Sequence, residues 1–219
     1  MEKKYKLTDE YITIGDKKLY CIEALKDFAD VKKGDKGGFI ESEYNLSQDG
    51  NCWIYDDAKV YENATIYGNA LVRGNAEIYG NALISGYALI EDNVKIYGNA
   101  QIFGHACIYD CAKIFDDAIV YDNVEIYDNV EIYGNTLVYY YVTLLKDAKI
   151  SSNFDYIVFK NWWSSDRYFA WIRSNNMWSV GCFYSTGQQL IEKAYEDSEL
   201  SGQEYERAIR YVESILKNN

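Results

Sequence analysis

An aliphatic residue returns at every sixth position from Ile54 onward: Ile54, Val60, Ile66, Val72 and so on to Ile150, seventeen positions in all. The fifth position of each hexad is Ala, Val or Thr from Ala58 to Ala148, and Phe154 is the single exception. A helix would repeat its apolar face every 3.6 residues and an isolated strand every two. A period of six predicts short strands joined by tight corners. The unit reads Asn-Ala-x-Ile-Tyr-Gly, in which Ala and Ile point inward while x and Tyr point outward. The Gly-Asn pair turns the corner, because both residues tolerate a left-handed backbone. Three strands make an eighteen-residue coil. One more hexad, Gln48 to Trp53, fits upstream and places Cys52 inside. Residues 48–155 are thus predicted to form a single-stranded parallel β-helix of about six coils.

Residues eighteen apart stack on one face, about 4.8 Å from coil to coil, and the three faces differ. One carries mixed charges beside a ring ladder, as in Lys59/Tyr61, Glu77/Tyr79 and Lys113/Phe115. A second, with Leu71/Arg73, Cys107/Tyr109 and Glu125/Tyr127, is mixed. The third has no charge and includes Tyr67, Leu83, Phe103, Ile119, Tyr121, Leu137 and Tyr139. An apolar strip of that length exceeds what a monomer usually exposes. A homo-oligomer interface is expected there, with coverage by the chain's own ends or a site for a foreign partner as the alternatives. The corners differ too. One is a ladder of Asn63, Asn81, Asn99, Asp117 and Asn135. A second replaces the default Asn at Tyr87, His105 and Tyr141, and is the expected ligand site. The third is acidic, and Asp92, Asp110 and Asp128 fall on consecutive coils. Carboxylates stacked so closely either raise one another's pKa or recruit a cation; a solvated acidic edge is the plainer alternative, and no metal is assigned.

The flanks lose the period. Residues 1–47 hold a hairpin over 11–22, turning at Gly15-Asp16, and a turn-rich lead-in from Gly34 to Glu43. An open β-helix end exposes strand edges and needs such a cap. Residues 156–219 read as a small α+β domain, with strands near 155–163, 167–173 and 177–184 and helices near 186–197 and 202–217. Thr186 and Ser201 are the expected N-caps, the latter in a capping box with Glu204. Arg167 and Arg173 flank Tyr168, Phe169 and Trp171. Arg beside aromatics can stack a base or grip a phosphate, so Arg167, Trp171 and Arg173 join the candidate ligand residues; alternating faces of a small-domain strand are the plainer reading.

Composition sharpens this picture. Proline is absent, as expected where it would break ladders on nearly every strand. The net charge is −12 over 219 residues. Direct nucleic-acid binding, which needs clustered Lys and Arg, is not expected. Residues 48–155 alone hold 16 Asp and Glu against 6 Lys and Arg, a net −10, which leaves an acidic DNA mimic as an alternative. Five cysteines at 21, 52, 107, 111 and 182 show no disulfide spacing, the N-terminus has no apolar leader, and no membrane-length run occurs. A cytoplasmic protein with reduced thiols is expected. No cofactor is called for.

The lead-in from Gly34 through Ser47, followed by Asn-Ala-x-Ile-Tyr-Gly repeats, resembles a group of uncharacterised bacterial and phage hexapeptide-repeat proteins, whose coils wind left-handed. The stretch Trp178-Ser-Val-Gly-Cys-Phe-Tyr-Ser-Thr-Gly resembles a small domain of phage-encoded proteins. The better-known hexapeptide-repeat relatives are acyltransferases, which form trimers, use a His as base and carry a protruding loop. Here no hexad between 54 and 155 is interrupted, and His105 is the only histidine. The expectation is therefore a non-catalytic binding scaffold. The phage analogy gives it the task of acting on a host protein or sequestering a small signalling nucleotide, in antagonism of host defence. An acyltransferase using His105 is the alternative.

Overall fold

The computed structural model describes residues 3–181 and 183–217. The repeat folds as predicted, into a left-handed parallel β-helix of about six turns. Seventeen two-residue strands run from β4 (Trp53–Ile54) to β20 (Lys149–Ile150). All but the last three pair in parallel with the strand eighteen residues on, as in Leu89 with Cys107 and Lys95 with Lys113. The three faces form three sheets. Inward residues are sealed: Ala58, Val60, Ala106, Ile108 and Ile114 have no exposed surface. Burying one such Val or Ile side chain contributes roughly 1.5–3 kcal/mol.

At the corners the first residue alone takes the left-handed conformation, as in Gly80 (φ 72°), Asp92 (66°), Asp110 (60°) and Asp128 (59°). The Asn that follows does not share that strain, contrary to the expectation from sequence. It is used through its amide: Asn63 Nδ2 donates to Asn81 Oδ1 (3.0 Å), Asn81 to Asn99 (2.9 Å) and Asn99 to Asp117 (2.8 Å). At Gly80 an added Cβ would lie 2.8 Å from the Gly98 backbone nitrogen.

The two ends of the column present different orphans. At the upper end carbonyls lack a coil above them, and donor side chains serve them. Lys4 Nζ donates to Cys52 O (2.9 Å) and Gly50 O (3.4 Å), and Asn45 Nδ2 to Ala64 O (2.8 Å) and Glu62 O (3.0 Å). The hairpin β1 (Tyr5–Ile14) and β2 (Lys17–Ala24), with β3 (Lys36–Ile40), continues the charged face as one nine-stranded sheet. Trp53, outward-facing by register, is buried beneath Tyr5 and Phe28. At the lower end N–H groups are left over, and acceptors serve them: Leu137 N donates to Asn153 Oδ1, Lys149 N to Ser174 Oγ and Ser151 N to Asp155 Oδ2.

The C-terminal strands β21 (Tyr156–Lys160), β22 (Tyr168–Ile172), β23 (Met177–Val180) and β24 (Phe183–Ser185) form an antiparallel sheet. Alternation divides its residues between two cores. Tyr156, Ala170 and Ile172 join the β-helix core. Phe169, Trp171 and Trp178 pack with Leu190, Tyr205, Ile209 and Val212 of helices α1 (Gly187–Asp197) and α2 (Glu199–Lys217). The sheet is thus a floor between column and helices. Thr186 caps α1, as expected, and does so in a box with Gln189. Ser201 does not cap α2; it lies inside the helix, because Ser198, in extended conformation, already accepts the Ser201 N–H on its Oγ (3.1 Å).

Candidate functional site

The altered corner stacks Tyr87, His105, Asn123 and Tyr141 down one edge of the column. Tyr87 and His105 are exposed and lie face to face, with ring centroids 5.0 Å apart and planes 4° from parallel. Below Asn123 the edge runs under the C-terminal sheet. There the Tyr141 ring stacks on Tyr168 at 5.2 Å. Tyr140 takes the left-handed corner position (φ 68°) and turns its ring toward Tyr139 at 4.3 Å. A cleft of about 550 Å³ opens at this junction, lined by Asn123, Glu125, Tyr141, Thr143, Lys160, Asp166, Arg167, Tyr168 and Gly181. That volume suits a small-molecule ligand.

Charge in the cleft is unevenly matched. Lys160 pairs with Asp166 at 2.8 Å, which raises the lysine's pKa, and its Nζ lies 5.9 Å from the centre of the Tyr168 ring. Glu125 accepts a hydrogen bond from Thr143 Oγ1 at 3.5 Å. Among the described residues the exposed Arg167 forms no ion pair. The cleft therefore offers one uncommitted guanidinium beside two aromatic faces. An anion can take the first and a planar ring the second.

The structure brings together only some of the candidates. Tyr141 and Arg167 share the cleft. His105 and Tyr87 sit two and three coils above Tyr141, roughly 10 and 14 Å along the edge at about 4.8 Å per coil. Arg173 and Trp171 are elsewhere, because Arg167 and Arg173 flank opposite ends of β22, roughly 20 Å apart for six strand steps. Trp171 is buried among the helices, and its indole N–H donates to Asn176 Oδ1 at 2.9 Å. With Arg173 it lines a second cleft of about 780 Å³, together with Phe154, Tyr156, Ile215 and Leu216. Sequence reasoning missed Lys160 and Asp166 as site residues, since no period links 156–185 to the column.

The acidic corner has a structural use. Asp92 Oδ2 accepts the Asp110 N–H (3.3 Å), Asp110 Oδ2 the Asp128 N–H (3.0 Å) and Asp128 Oδ2 the Lys146 N–H (2.8 Å). Each carboxylate staples its corner to the next coil. Among the described residues no group of three or more His, Cys, Asp or Glu is placed to hold a metal ion. Cys21, Cys52, Cys107 and Cys111 are free thiols; Cys182 lies outside the described residues. No described helix is long and apolar enough to cross a membrane.

The uncharged face is partly open. Tyr67 is 40% exposed, and Leu83, Phe103, Ile119, Tyr121, Leu137 and Tyr139 are half-buried. Phe103, Tyr121 and Tyr139 stack at 5.2 and 5.3 Å. The C-terminal sheet reaches the lower edge, where Tyr156 OH donates to Leu137 O at 3.0 Å.

No family model matches the chain. It is similar to the uncharacterized acetyltransferase YdcK of Escherichia coli (strain K12), with 44% identity over 66 residues. The match covers 26% of this chain and 20% of that protein, so the chain spans about a fifth of the curated relative's length. This likeness overturns the expectation of a protein without catalytic activity: the absence of a protruding loop is not a sound ground for excluding it.

Proposed function

We propose that the protein handles an acyl donor of the nucleotide thioester class, bound with its planar base at Tyr141 and Tyr168 and its phosphates at Arg167. The reaction is acyl transfer. The observation that carries this reading is the cleft, where an unpaired guanidinium lies beside two stacked rings at the foot of the only edge bearing a histidine. The relative's name points to the same chemistry. A donor anchored in the cleft and extended along the edge brings its thioester toward His105, roughly 10 Å away. His105 Nδ1 or Nε2 then takes a proton from the acceptor nucleophile.

The test is thiol release from acetyl thioester donors, together with calorimetry. His105→Ala is expected to lower kcat by about 10²–10⁴-fold, the ordinary span for a general base, with donor affinity unchanged. Arg167→Ala raises the donor's Kd. Absence of donor binding by the wild-type protein sinks the reading.

A second reading is favoured by the same unpaired Arg167 and aromatic pair, which also fit a free signalling nucleotide. In that case the chain is phage-encoded and acts against a host factor or its nucleotide. A panel of cyclic and linear nucleotides in the same calorimeter separates the two. In either reading the uncharged face joins copies into a homo-oligomer, which sedimentation of Phe103→Glu against wild type tests.

A further inference from the structure

At the upper end of the column a lysine and a cysteine are shut away together. Lys4 has 1% and Cys52 0% of its surface exposed. Lys4 Nζ lies 3.3 Å from Cys52 Sγ. Its other contacts are Cys52 O at 2.9 Å, Gly50 O at 3.4 Å and the Phe28 ring, with Nζ 5.3 Å from the ring centre. Among the described residues no carboxylate hydrogen-bonds the amine, whose partners are two carbonyls and the sulfur.

Capping the carbonyls explains why a donor is wanted there. The thiol has weak carbonyl contacts of its own, to Ser47 O and Asp49 O at 3.7 Å and Ile66 O at 3.8 Å, all longer than its 3.3 Å approach to Lys4 Nζ. The inward fifth position of a hexad is Ala, Val or Thr from Ala58 to Ala148. Cys52 occupies that position in the first hexad, against Lys4, the one buried lysine among the described residues.

We propose that Lys4 and Cys52 form an oxidative covalent cross-link in which one oxygen atom bridges Nζ and Sγ. The two atoms stand at contact distance with nothing between them, so a bridging oxygen needs only a small approach by a side chain that ends in a flexible stem. Burial lowers the lysine's pKa, in the direction of the neutral amine, and raises that of Cys52, in the direction of the thiol. The oxidant is molecular oxygen, a small apolar molecule that an apolar interior admits. The balance is R–NH2 + R′–SH + O2 → R–NH–O–S–R′ + H2O. The N–H and S–H bonds break, N–O and O–S bonds form, and the second oxygen atom leaves as water with one proton from nitrogen and one from sulfur. The amine and thiol are oxidised, and dioxygen is reduced. The one remaining N–H can keep the shorter bond, to Cys52 O, while the longer one to Gly50 O is given up. Linking residues 4 and 52 ties β1 to the first coil and narrows the unfolded ensemble.

The test uses the whole protein, prepared without oxygen under reductant and then held in air-saturated buffer. Intact mass is expected to rise by one oxygen less two hydrogens. Peptide mapping is expected to find the peptides of Lys4 and Cys52 joined, and thiol reductant to release them. Cys52→Ala, which restores the residue usual at that position, keeps the fold and abolishes both the mass change and the oxygen-dependent rise in Tm. Lys4→Met abolishes the link as well. Exposed Cys111 is the internal measure of oxidation. The proposal is overturned if Cys111 is oxidised while Lys4 and Cys52 stay free. It is equally overturned if Cys52 gains oxygen without joining Lys4, or if the mass change persists in Cys52→Ala.

Discussion

Ile114 and Trp178 are both buried, and they are held in different ways. Ile114 sits in a column where Ile96 lies above it and Ile132 below, in parallel register. Both stacked neighbours are the same residue from the same hexad position. Trp178 sits between Phe159 and Phe169, with ring centroids at 5.7 and 6.1 Å, and each neighbour comes from a different element. The column is thus a one-dimensional stack in which each coil meets only the next. The C-terminal unit is a small packed core whose parts depend on one another. One region can vary at any corner without moving the rest; the other supplies a fixed shape. The candidate site lies where a variable corner passes beneath the fixed shape.

Trp178→Ala should test that contrast most severely. Removing a buried Trp costs about 3–5 kcal/mol, which is enough to melt the helices and their sheet face. Calorimetry with far-UV circular dichroism is expected to show an early helical transition while the β-helix transition stays in place. A single transition displaced as a whole would mean that floor and column unfold together, and the contrast would fail.

A smaller effect is expected at the corners. Asp110→Gly removes the acceptor for the Asp128 N–H without straining the left-handed corner, and costs about 0.5–1.5 kcal/mol, in the range of a single hydrogen bond. The loss should stay local, read as faster amide exchange at Asp128 with protection at Ile114 unchanged. Spread of the exchange over several coils would show that the column is less modular than its register implies.

The smallest effect is electrostatic. Hydrogen bonds from Lys149 and Lys113 hold the Glu131 carboxyl below its ordinary range. A depressed folded pKa means that this stabilisation is present above the unfolded value and is lost as pH falls through the folded one. Melting temperature followed downward through the carboxylate range should fall less steeply in Glu131→Gln than in wild type. Equal slopes would assign the acid sensitivity to other groups.

The column was legible in the sequence because Ile, Ala and Gly recur at fixed positions, and sorting by eighteen placed every outward residue on its observed face. The acidic corner was legible in position and not in purpose. Asp92, Asp110 and Asp128 stand where other hexads have Gly, and neither a cation nor a solvated edge, the two readings drawn from sequence, anticipates their hydrogen bonds to the next coil's backbone. The cleft was half legible. Tyr141 and Arg167 stood out as departures from a rule or as cations among aromatics. Lys160, Asp166 and Tyr168 meet them through the fold of an aperiodic segment, and nothing in their spacing announces it. Trp171 and Arg173 pointed away from this cleft because they lie toward the other end of β22 from Arg167, where they line the second cleft.

The two ends of the column are served by different chemistries, donors from Lys4 and Asn45 above and acceptors from Asn153, Ser174 and Asp155 below. Both lids are therefore written for one end only, while every storey between them has the same floor plan. Eighteen residues could be added or removed at mid-height and each lid would still find its groups. The height of the building is open to revision by simple duplication; its roof and foundation are not.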